Sequence, residues 1–177
     1  METDMKKKLD AIFAAPTLGA PENAVGFVLW RLVHRYVREL DRKLAGLDLT
    51  HLQFTILALA AWLARASEVV TQPQLARFGD IHPMQVSKVL KALEDKGLIR
   101  RSGSEVDTRV RLVAITTTGV TALGRALPIA VEVQARLFGP GGQPGGSLLT
   151  ALMELDTGST SADMPAHVDA PVASWPG

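Results

Sequence analysis

Apolar residues recur at three- and four-residue spacing along most of the chain. Val25, Leu29, Leu32, Val33, Tyr36, Val37, Leu40 and Leu44 mark a long helix from Glu22 to about Ala45, ended by Gly46. Phe27, Trp30 and His34 make that stripe wider than one core face needs. Thr50-His51-Leu52-Gln53 reads as a capping box opening a second helix, which runs to about Ala66. Its run Phe54–Ala64 has no charge, and a helix that is apolar nearly all round is covered on several sides. Val69-Val70 fits a very short strand at the edge of a sheet.

The stretch 71–115 organises the rest. Thr71 caps a short helix, Gln74 reaches back to complete the box, and Pro73 is tolerated in a first turn. Leu75, Ala76 and Phe78 supply its apolar side, and Gly79-Asp80 breaks it. A second helix starts near Pro83, with His82 just outside. Val86, Val89, Leu90 and Leu93 form its inner face; Gln85, Ser87, Lys88 and Lys91 lie off that face; Gly97 stops it. Leu98–Arg101 and Arg109–Ile115 read as two strands joined by a polar turn over Ser102–Asp107. Two helices across a tight turn, the second apolar inside and basic outside, are the helix-turn-helix pattern, and the hairpin adds a wing.

Thr116-Thr117-Thr118-Gly119 then enters a helix to about Phe138, in which Pro128 is expected to make a kink. A Gly/Pro linker over Gly139–Gly146 leads to a short helix, Ser147–Asp156. The expected organisation is a flexible arm over 1–21, dimerisation helices over 22–46 and 116–156, a winged helix-turn-helix lobe over 47–115 and a disordered tail over 157–177. The class is mainly α with a small β wing. The terminal helices carry more apolar surface than the small lobe can cover, and a symmetric dimer would bury it.

Composition narrows the function. The 177 residues carry a net charge of only +1, so any nucleic-acid footprint must be local. Over 81–111, seven cations (Lys88, Lys91, Lys96, Arg100, Arg101, Arg109, Arg111) face four anions (Glu94, Asp95, Glu105, Asp107), a surplus of three. A hairpin needs no such arginines for folding, whereas phosphate and minor-groove contacts use them. The chain has no cysteine, which removes disulfides, thiolate metal sites and thiol redox sensing. Met1–Asp10 lacks an apolar export core, and no stretch approaches the ~18 apolar residues of a membrane span. A soluble cytoplasmic protein is expected. No Gly-rich phosphate loop, nucleophile motif or carboxylate cluster is present, so no enzyme is expected. The four histidines have no metal spacing, and neither metal nor cofactor is expected.

Taken together, these residues resemble the MarR family of winged helix-turn-helix regulators. The resemblance lies in Leu49-Thr50 with Gln53-Phe54, Gln74-Leu75-Ala76, Val86-Ser87, Leu90, Leu93–Arg101, Asp107-Thr108-Arg109, Ile115-Thr116 and Gly119. It covers roughly residues 22–156. It implies a homodimer joined through the first and last helices. Such a dimer binds a palindromic operator on double-stranded DNA, commonly as a repressor, and is often released by a small aromatic effector. Activation from the same fold, or a protein-binding module without an operator, are the alternatives. The wing tip, with Ser102, Ser104 and Glu105, is less basic than the family often has, and the last helix is short.

On that frame Pro83, Met84, Gln85, Ser87 and Lys88 open the recognition helix. Gln85 suits an adenine edge and Lys88 a guanine. Ser87, Lys91, Arg101 and Arg111 are candidates for backbone contact. Arg109 is expected in a narrow minor groove, with Asp107 supporting it. Thr71, Gln72 and Gln74 are candidates to meet a phosphate at a helix N-terminus. An effector pocket is expected among Phe27, Trp30, His34, Arg38, His51 and Phe54, with a histidine or Arg38 meeting a carboxylate. His167 lies in the tail and carries no role.

Overall fold

A computed structural model describes residues 2–14, 20–67, 69–103 and 111–160. Helix α1 spans Glu2–Ala14, α2 Val25–Leu44, α3 His51–Ala64, α4 Gln72–Phe78, α5 Pro83–Asp95, α6 Thr117–Phe138 and α7 Ser147–Thr160. Strands β1 (Val70–Thr71), β2 (Ile99–Gly103) and β3 (Arg111–Ile115) form one antiparallel sheet in the order β1-β3-β2. The chain divides into two compact units, Met1–Glu39 and Leu40–Gly177. Leu40 and Leu44, at the end of α2, are buried in the second unit.

The second unit is built as the apolar periodicity requires. Leu40, Leu44, Ile56, Leu57, Leu75, Val86, Leu90, Leu93, Ile99 and Val133 are the largest of its fully buried side chains among the described residues. α3 packs against α4, α5, α6 and the sheet, which explains its lack of a polar face. Both expected capping boxes are present. Thr50 Oγ1 accepts from Gln53 N, and Thr71 Oγ1 from Gln74 N, with each glutamine returning the bond to the cap residue's N–H. β1 pairs Val70 with Val113 and Thr71 with Leu112; β2 pairs Ile99 with Ile115 through to Gly103 with Arg111. The strand β2 therefore runs two residues into the stretch expected as turn. The wing tip, 104–110, lies outside the described residues, and so do Asp107 and Arg109.

Thr116 closes the sheet onto α6. Its hydroxyl accepts from Gly119 N at 3.0 Å and lies 2.7 Å from the Gly97 carbonyl and 3.0 Å from that of Leu98. α6 continues past Pro128. Gly139–Gly142 forms a 3₁₀ turn against which α7 packs. α7 extends to Thr160, four residues beyond the expected end.

The first unit differs more from expectation. No element is expected before Glu22, yet Glu2–Ala14 is a helix. Met5, Leu9, Ile12 and Phe13 fall at helical spacing, and Asp4 pairs with Lys8 one turn on at 2.8 Å. The Lys6–Lys8 run hides this pattern in the sequence. Pro21–Asn23 forms a 3₁₀ turn, Ala24 is extended, and α2 begins at Val25 instead of Glu22. No single helix among the described residues is long and apolar enough to cross a membrane.

Candidate nucleic-acid interface

The recognition helix α5 has a buried and an exposed face, with Val89 of the expected inner face only half-buried. Val86, Leu90 and Leu93 are fully buried, while Pro83, Met84, Gln85, Lys88 and Lys91 are exposed and Ser87 is half-buried. The divide follows from the 3.6-residue period, with the buried residues three or four apart. His82 caps the helix, its Nδ1 accepting from Met84 N at 3.3 Å. That cap is invisible to a reading based on hydroxyl and carboxylate caps. It leaves Met84 and Gln85 on the exposed first turn. Asp80, with φ +47°, makes the sharp turn between α4 and α5.

Other predicted contact residues have defined neighbours. Gln72 and Pro83 line one shallow hollow between α4 and α5, about 360 Å³, together with Pro73, Ala76 and Ile81. The side-chain oxygens of Thr71 and Gln74 are engaged in the cap. Lys91 reaches Asp95 at 3.2 Å across one exposed turn, a pair worth only ~0.3–0.5 kcal/mol and readily exchanged for another anion. Arg100 and Arg111 are exposed on the hairpin.

Arg101 is placed differently from its neighbours. Its Nε and Nη2 donate to Glu94 Oε2 at 2.9 and 2.6 Å, and its backbone N donates to Glu94 Oε1 at 2.9 Å. The Arg101 side-chain hydrogen bond is the largest cause holding the Glu94 carboxyl below its ordinary value, followed by the Arg101 backbone N–H. Lys96 is likewise turned inward, onto Asp48 and Gln53. Sequence reasoning counted both cations as part of a basic surface. Their partners lie across turns or in another helix, where periodicity gives no signal.

The expected effector residues fall in both units. In the first, Phe27 stacks near Trp30 (centroids 6.1 Å apart) and Trp30 lies 4.2 Å from the His34 ring. His34 Nδ1 donates to the Trp30 carbonyl at 2.7 Å. Trp30, His34 and Arg38 line an open hollow of about 340 Å³ along α2. In the second unit, Phe54 is a core residue, and His51 is tied to Asp41, its backbone N donating to Oδ1 at 2.6 Å. Among the described residues no group of three His, Cys, Asp or Glu side chains is placed to hold a metal ion.

Comparison with known proteins agrees with this geometry. The MarR family model matches residues 49–110. The HTH-type transcriptional regulator YdcH of Bacillus subtilis is 36% identical over 118 residues, spanning 67% of this chain and 80% of that protein. Among solved structures, CouR from Rhodococcus jostii RHA1, bound to p-coumaroyl-CoA, superposes with a TM-score of 0.69 at 23% identity. That match covers 82% of this chain and 99% of CouR. The S. aureus MepR–DNA complex superposes with a TM-score of 0.65 at 23% identity, covering 78% and 98%. A buried-inside, polar-outside recognition helix, a three-stranded wing and these relatives lead to one assignment: the chain belongs to the MarR family of winged helix-turn-helix transcription regulators.

Proposed function

We propose that the chain is a homodimeric, cytoplasmic repressor that reads a palindromic operator and releases it on binding a small aromatic effector. The observation that carries the reading is the split of α5. Its buried face fixes it to the lobe, while Gln85 and Lys88 stand exposed on its first two turns with hydrogen-bonding groups suited to base edges. The exposed Arg100 and Arg111 on the hairpin supply cations for backbone contact, and Arg109 is assigned to the minor groove. Capture of DNA by MepR and of an aromatic acyl thioester by CouR supports both halves of the proposal. Phe27 and Trp30, with the tilted His34 ring against Trp30 and Arg38 in the same hollow as Trp30 and His34, suit an aromatic anion.

Selection from random DNA is expected to return an inverted repeat with half-sites about 34–36 Å apart, centre to centre. Q85A is expected to cost about 1–3 kcal/mol per half-site on that operator and little on a scrambled duplex. R109A is expected to weaken both and to flatten the dependence of affinity on salt. Fluorescence anisotropy over a salt series separates the two. The reading fails if no palindrome is selected, or if both variants bind like the parent.

A further inference from the structure

Two cations beyond the last turn of α5, Lys96 at its end and Arg101 on β2, do not face outward with Lys88 and Lys91 of that helix. Lys96 is the residue that ends the helix. Its Nζ donates to Gln53 Oε1 at 3.1 Å and to the backbone carbonyl of Asp48, and stands 3.1 Å from Asp48 Oδ2. Gln53 is the reciprocal member of the α3 capping box, its Oε1 also accepting from Thr50 N. One ammonium therefore ties the end of α5 to the first turn of α3. On the other side, Glu94 takes three hydrogen bonds from Arg101 and ties the last turn of α5 to the base of the wing. We infer that Lys96 and Arg101 are positioning residues for DNA recognition: they fix α5 between α3 and the wing, and neither neutralises a phosphate.

The inference rests on the operator-binding reading above, and three observations carry it. An ammonium has three N–H donors, and three acceptor oxygens already surround that of Lys96. Two charge-assisted bonds from the Arg101 guanidinium converge on Glu94 Oε2, and a phosphate would have to displace both. Both side chains are also withdrawn from water, at 27% exposure for Lys96 and 21% for Arg101, against 69% for Lys91 on the outer face. Leverage does the rest. A 13-residue helix is ~20 Å long, so a tilt of ~5° at its clamped end moves its first turn by roughly 2 Å. A base-edge hydrogen bond by Gln85, on that turn, does not survive such a displacement.

Glu94 gives the test its sign. On charge alone, removing an anion beside DNA strengthens binding. If Glu94 holds Arg101 in place, removing it weakens binding. The experiment uses the full chain as E94Q, R101Q and K96M, with R111Q as a phosphate-contact control. Anisotropy is measured on the selected operator and a scrambled duplex over a salt series. Amide hydrogen exchange over residues 97–102 is measured without DNA. E94Q, R101Q and K96M are each expected to lose about tenfold on the operator, and E94Q/R101Q to bind no worse than the weaker single variant. Their salt slopes and their affinity for the scrambled duplex stay those of the parent, and exchange over 97–102 accelerates. The inference is overturned if E94Q binds the operator as well as the parent or better. It is also overturned if R101Q or K96M flattens the salt slope as R111Q does, or if exchange is unchanged. A parent chain that selects no operator counts against the proposed function instead, and the exchange measurement then decides the clamp by itself.

Discussion

Gln85 and Lys88 were legible before any coordinates because a helix of known phase exposes whatever lies off its apolar face. Glu94 and Arg101 were not, because their pairing depends on how the chain reverses at Gly97, where φ is +69°. That pair makes a prediction in pH. The carboxyl of Glu94 is held below its ordinary value, so the folded state prefers it ionised more strongly than the unfolded state does. Its contribution to stability is complete above the unfolded value, about 4.3, and is lost as pH falls through the lower folded value. The difference in melting temperature between parent and E94Q should therefore be steady at neutral pH and shrink in acid. Circular dichroism melts across that range provide the check, and a pH-independent gap counts against the pair.

Elements followed their sequence signals where those signals were local. The threonine caps at Thr50, Thr71 and Thr116 each form with the partner three residues on. Gly119, part of the family pattern, is required by a close approach in the structure. A Cβ there would lie 2.1 Å from the Leu98 carbonyl oxygen and 2.9 Å from Ile115 Cγ1, where α6 crosses the sheet. Gly124, five residues along the same helix, has open space at its Cβ position. G119A is therefore expected to destabilise the chain by about 1–3 kcal/mol through forced backbone movement. G124A is expected to stabilise it by up to ~1 kcal/mol through helix propensity. Denaturant unfolding of the two variants reads the difference, and equal shifts would contradict the contact. α1 shows the converse case: a charged run concealed its helical period, so the element was missed.

At the scale of the whole molecule, the family makes the chain a DNA-binding regulator and not an enzyme. One chain leaves Val25, Trp30 and Val33 of α2 and Met153 and Leu155 of α7 largely exposed. Such surface on terminal helices is what the proposed twofold would cover. Sedimentation at micromolar protein should give the mass of two chains, and V33E together with M153E should shift it toward one and weaken operator binding. A monomeric parent that still binds its operator tightly would remove the dimer from the proposal.

The sequence by itself determined the order of the helices from α2 on, the threonine caps, the inner and outer faces of α5 and the family, because each depends on residues close along the chain or on a contiguous pattern. Tertiary structure alone decided which cations are available. Lys91 and Lys96 read alike as basic residues five apart, but one stands in water and the other is held in the fold by Asp48 and Gln53, more than forty residues earlier. It also set the strand order β1-β3-β2 and placed the end of α2 in the second unit. Periodicity states which face of an element is buried. Only the packed chain states which neighbour buries it, and for a charged side chain that neighbour determines whether it is left to meet DNA.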